Sequence, residues 1–194
     1  MSCIEAKSLF KNYNSLIAVN GIDLNIESGQ VFGFLGPNGA GKSTVLHSIF
    51  GFTRIFSGKI MSHVGESYQS IAKMSSSQKL KVAGISYILQ DNSVFPDMTV
   101  EENLMMGAYL KEGSDEVEQS VERIFEKYDR LKARRNKPAR VRSGGERRLL
   151  EISRALVMEP NILLVDEPSI FKNGSPFTSP DIFSKLTVSA SCSA

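Results

Sequence analysis

The stretch Gly36-Pro37-Asn38-Gly39-Ala40-Gly41-Lys42-Ser43, with Thr44 following, constrains this chain more than any other. It fits G-x-x-x-x-G-K-[ST], a pattern that ordinary residue usage produces by chance in about 1% of chains this long. Glycines let backbone N–H groups converge on phosphate oxygens, and a helix starting at the loop adds its positive end. In such a loop Lys42 reaches the β- and γ-phosphates and the Ser43 hydroxyl sits on Mg²⁺. An apolar run over residues 31–35 precedes the loop, and Val45, Leu46, Ile49 and Phe50 follow it at helical spacing. Strand, glycine loop and helix commit the chain to an α/β core.

A second acidic element fits the first. Leu163-Leu164-Val165-Asp166-Glu167 places two carboxylates at the end of a run with no polar alternation, as in a strand covered on both faces. Asp166 suits Mg²⁺ held through water, and Glu167 suits orienting or deprotonating an attacking water. Between the two elements lies Ser143-Gly144-Gly145-Glu146, opening a helix after a basic loop. It reads as an N-cap with its capping-box glutamate, or as a second phosphate-binding helix start facing a nucleotide on another subunit. One cap geometry serves both.

The rest of the chain fits that core. Its 194 residues, 41% hydrophobic and 23% charged, suffice for one domain with a real core. A net charge of +2 is too small to argue for nucleic acid as a partner, and none is expected. Cys3 and Cys192 make no disulfide framework, and no run of about 18 apolar residues predicts a membrane span. The expectation is a soluble cytoplasmic domain without direct membrane insertion. The first third alternates apolar runs with turn residues, residues 59–82 read as polar and turn-rich, and residues 85–89 read as a buried strand. Helical spacing follows over 101–111, 115–132 and 144–157. Acids crowd residues 101–129 and bases crowd 130–148, the pattern of a solvated face beside a basic loop.

Glycine loop, Ser-Gly-Gly-Glu and the Asp-Glu strand, in that order, resemble an ATP-binding-cassette (ABC) ATPase. The resemblance implies a P-loop NTPase fold with a β-rich N-terminal part, ATP and Mg²⁺ as cofactors, and ATP hydrolysis that drives transport. It divides the chain into a nucleotide-binding domain over 1–170, a helical subdomain over about 97–157 and an atypical Ser-rich tail over 171–194. It also places Tyr13 where an aromatic stacks on adenine, and Gln90 where a glutamine touches Mg²⁺ and senses the transmembrane partner. The wording Gly84-Ile-Ser-Tyr-Ile-Leu-Gln90, Val94-Phe-Pro-Asp-Met-Thr-Val-Glu-Glu-Asn-Leu104 and Met106-Gly107-Ala108 resembles the branched-chain amino-acid importer ATPases of the LivF type. Urea-importer and lipopolysaccharide-export ATPases share much of it. Implied partners are transmembrane permease subunits and a second ABC ATPase subunit in a head-to-tail dimer. The implied location is the cytoplasmic face of the cell membrane.

Two departures stand out. Arg142 precedes Ser143 where the family carries leucine, and the likeness fades after Ser169. Both histidines, His47 and His63, precede Asp166, so the family's later histidine has no counterpart. The resemblance therefore predicts a truncated or frame-shifted cassette with poor hydrolysis and its last core strands missing. One of these belongs between the strands before the glycine loop and before Glu167. Its absence predicts uncovered backbone groups and a marginal or insoluble chain. An ATP-binding-only fragment and a non-transport ABC ATPase are the alternatives.

Overall fold

A computed structural model describes residues 2–89, 93–140, 144–166 and 188–191. Two sheets form its frame. The first is antiparallel, in the order β2 (Leu16–Glu27), β1 (Ser2–Tyr13), β4 (Ser57–Val64), β5 (Ser67–Ser70). The second is parallel, in the order β3 (Phe32–Leu35), β8 (Val188–Ser191), β7 (Ile162–Asp166), β6 (Ile85–Ile88).

β7 organises the core because all five of its residues are buried. Alternation sends Ile162 and Leu164 to one face, where they join Val45, Leu46, Ile49 and Phe50 of α1 (Lys42–Phe50). Leu163 and Val165 face the other way and join a cluster from α3 (Val100–Gly107), α4 (Ser114–Lys127), α5 (Asp129–Lys132) and α6 (Gly144–Leu156). The parallel sheet is thus covered on both faces, which explains its unbroken apolar run.

β8 corrects the expectation of a missing central strand. Phe32 pairs with Val188 and Leu35 with Ser191 on one side, and Leu164 pairs with Val188 and Asp166 with Ala190 on the other. Main-chain groups make these ladders, so a Val-Ser-Ala-Ser segment serves as well as an apolar run. The backbone between β3 and β7 is paired, and the stated reason for insolubility falls away.

Residues 59–82 also hold more structure than their polarity suggests. β4 and β5 pair there, and α2 (Ser76–Lys81) follows. Ser75, in a serine run, forms a capping box with Gln78. The helix expected over 115–132 breaks at Tyr128, between α4 and α5. The segregated charges partly meet: Arg135 bonds Glu101 and Glu122, and Arg140 pairs with Asp97 at 2.9 Å. Fully buried Asn103 accepts from the Phe95 amide (2.9 Å) and donates to the Phe95 and Thr99 carbonyls (both 2.9 Å). That latch fixes the loop entering α3.

Lys79 of α2 is fully buried, and its Nζ donates to the Ile49 carbonyl at 2.7 Å, at the end of α1. The cation thereby satisfies an orphan helix carbonyl. Burial pulls its pKa from 10.5 down to about 8. Between those values the unfolded lysine keeps its proton and the folded one loses it, so stability rises with pH across the window. Lys79→Met removes that rise. Urea unfolding at pH 7.5 and 10 is expected to show the wild type gaining up to about 3 kcal/mol over the variant.

Candidate functional site

The glycine loop joins β3 to α1 and takes a conformation that its sequence makes accessible. Gly39 (φ +81°) and Gly41 (φ +83°) occupy the left-handed region, where glycine carries no Cβ penalty. The Ala40 amide donates to the Pro37 carbonyl at 3.2 Å, closing a turn that leads into α1. No side chain caps the N-terminus of α1, and its first turn carries no acid. The first amides of this helix, at residues 42–44, thus meet no anionic side chain of their own first turn, the condition for receiving an external anion.

Lys42 curls back over the loop. Its Nζ donates to the Gly36 and Pro37 carbonyls, each at 2.9 Å. These are weak competitors for a phosphate oxygen, because a carbonyl carries no net charge. Ser43, one residue on, donates its hydroxyl to Asp166 Oδ1 at 2.9 Å across 123 residues of sequence. Tyr87 on β6 donates its hydroxyl to Asp166 Oδ2 at 3.0 Å, and His47 Nε2 stands 3.8 Å from the same oxygen. A hydroxyl and a carboxylate side by side form a hard oxygen donor set suited to Mg²⁺.

These groups share one cleft of about 410 Å³, lined by residues 38–44, Asp166, Tyr13, Leu16, Ile17 and Ala18. Tyr13 sits at its mouth, 44% exposed, with Lys11 Nζ 4.6 Å from its ring centroid. Leu16 and Ile17, at 66% and 57% exposure, give the same end of the cleft an open apolar wall. The cleft thus combines apolar and aromatic groups with cationic and hydroxyl-bearing ones. That lining suits a ligand that carries both a flat ring and phosphates.

Other residues singled out from the sequence lie elsewhere. Gly145 and Glu146 open α6 and do not line this cleft; Glu146 pairs with Arg134 at 3.6 Å. Gly144 starts the same helix. Gln90, Arg142, Ser143 and Glu167 fall outside the described residues. Conversely, Leu16, Ile17, His47 and Tyr87 line or flank the site although no sequence motif marks them. His47 stands one helical turn after Ser43, and Tyr87 has the strand parity of Leu164 and Asp166, so both carried a positional signal.

Among the described residues no helix is long and apolar enough to cross a membrane. The family described as ABC transporter matches residues 19–170. The chain is 36% identical over 157 residues to the probable branched-chain amino acid transport ATP-binding protein LivF of Archaeoglobus fulgidus, covering 81% of this chain and 64% of that relative. It is 34% identical over 189 residues to the lipopolysaccharide export system ATP-binding protein LptB of Haemophilus influenzae, covering 96% of this chain and 75% of that one. Among solved structures, the ADP conformation of MJ1267, an ATP-binding cassette of an ABC transporter, superposes with a TM-score of 0.81 at 25% identity. That match covers 100% of this chain and 82% of the cassette.

Proposed function

The chain belongs to the ABC transporter family, and from that premise we propose that it binds and hydrolyses ATP to power an importer of branched-chain amino acids. The observation that carries the nucleotide reading is the single cleft shared by the glycine loop, Tyr13 and Asp166. In this reading Tyr13 stacks on the adenine, with Leu16 and Ile17 covering its edge. The amides at residues 39–44 and the Lys42 ammonium bind the phosphates, and Ser43 and Asp166 hold Mg²⁺. The ion, when bound, neutralises charge on the phosphate oxygens. Glu167, the next residue in sequence after Asp166, orients or deprotonates the attacking water, and Gln90, two residues beyond β6 in sequence, completes the site.

The partners in this proposal are two permease subunits and a second cassette. Gly145 and Glu146 open α6 outside the cleft, and in this proposal that helix start serves a nucleotide held by the second cassette. The chain works at the cytoplasmic face of the membrane. The amino-acid assignment leans on the LivF-like wording around residues 84–108 and on the LivF relative. The similarity to LptB makes lipopolysaccharide export the competing reading.

Co-expression with a branched-chain amino-acid permease pair separates them. Leucine uptake and permease-stimulated ATP hydrolysis are expected to appear together. Hydrolysis stimulated by export-type membrane subunits alone contradicts the importer assignment.

A further inference from the structure

Tyr87 is a phenol aimed at the carboxylate that faces the glycine loop. β6 and β7 run parallel with Tyr87 opposite Leu164, and two-residue alternation puts Tyr87, Leu164 and Asp166 on the α1 side of the sheet. The two oxygens of Asp166 are thereby divided. Oδ1 accepts from Ser43 at 2.9 Å, inside the cleft, and Oδ2 accepts from Tyr87 at 3.0 Å. Aromatic neighbours fix the phenol ring: Phe50, Phe52 and His47 have centroids at 5.4, 5.1 and 5.6 Å. A tyrosine hydroxyl ordinarily keeps its proton at neutral pH, so it is a donor to Asp166.

We propose that Tyr87 is a positioning residue for the metal: its hydroxyl ties Asp166 Oδ2 and thereby keeps Oδ1 turned toward Ser43 and the cleft. The terminal torsion of an aspartate is broad and two-fold, so a carboxylate held through one oxygen alone samples orientations useless to a ligand in the cleft. Holding the second oxygen removes that freedom before the ion arrives. Hydrogen bonds of this supporting kind change metal affinity by about 10–100-fold when removed. The proposal rests on the reading of the cleft as a Mg²⁺–ATP site.

Tyr87→Phe tests it, because the ring and its contacts with Phe50 and Phe52 remain. A fluorescent ATP analogue is titrated in EDTA and then against increasing Mg²⁺, with Mn²⁺ as a second probe read by electron paramagnetic resonance. In the variant, the Mg²⁺ concentration giving half-maximal enhancement of nucleotide binding is expected to rise about tenfold. Binding in EDTA is expected to stay within twofold of the wild type. In an Asp166→Ala background, Tyr87→Phe is expected to shift the Mg²⁺ requirement by less than twofold, since both carboxylate oxygens are gone. An unchanged Mg²⁺ requirement overturns the proposal, and so does an equal loss with and without the ion, which marks a purely structural role. A wild type that binds nucleotide with no response to Mg²⁺ overturns the underlying reading of the cleft instead.

Discussion

Lys42→Ala is expected to lower ATP affinity by at least about 100-fold while leaving the fold in place. In the structure the Lys42 ammonium bonds two uncharged carbonyls, Gly36 and Pro37, at 2.9 Å each. When phosphates arrive the same three protons meet charged oxygens, and each such bond is worth about 1.5–3 kcal/mol. Two of them set a lower bound near 3 kcal/mol, or roughly two powers of ten in affinity. Removing the two carbonyl bonds costs the fold far less, because the main-chain groups remain open to water. A thermal midpoint within about 4 °C of the wild type is expected. Calorimetric titration and thermal melting on the same sample check both halves. An affinity reduced less than fivefold means that Lys42 does not contact phosphate.

Gly41→Ala is the substitution expected to damage the fold and the site together. Gly41 has φ +83°, and a Cβ placed on it falls 2.3 Å from the Ala18 carbonyl oxygen. Left-handed backbone alone costs an alanine about 1 kcal/mol. The clash is with main chain of β2, so relief requires the strand or the loop to move. A total of about 3 kcal/mol or more is expected, a fall of roughly 6–12 °C in a domain of this size. ATP binding falls with it, because Ala18 and Gly41 both line the cleft. Gly39 supplies the contrast: it has φ +81°, yet a Cβ there meets nothing within 4 Å. Gly39→Ala is expected to lose only the backbone share, about 1 kcal/mol. Equal melting curves for the two variants would show that the Ala18 contact does not constrain the loop.

The phosphate end of the site was legible in the chain because local pattern and local structure coincide there. The glycine loop sits between β3 and α1 as the spacing predicts, and Asp166 ends a strand whose apolar run reflects cover on both faces. What escaped the sequence depends on partners far away along the chain. β8 is a short run of small and polar residues, and its strand character comes from main-chain pairing with β3 and β7. Lys79 reads as a surface lysine in a polar segment, yet it is buried at the end of α1 because a helix carbonyl there lacks a partner. Ser75 lies in the stretch that reads as polar and turn-rich, and its capping box with Gln78 starts a helix there. Tyr87 reads as an apolar strand residue, and only the β6–β7 register turns its hydroxyl onto Asp166. Residues that combine a local motif with a fixed spacing are predictable. Those whose role is set by register or by a distant helix end are not.

In the proposed function the cleft between Tyr13, the glycine loop and Asp166 holds Mg²⁺ and ATP. Calorimetric titration of the unsubstituted chain with ATP, in Mg²⁺ and again in EDTA, tests it most directly. The expected result is saturable one-site binding that weakens at least about tenfold in EDTA and is absent from Lys42→Ala at the same concentrations. A chain that melts cooperatively yet takes up no ATP at millimolar concentration, or binds it equally well without Lys42, means that the cleft is not a nucleotide site.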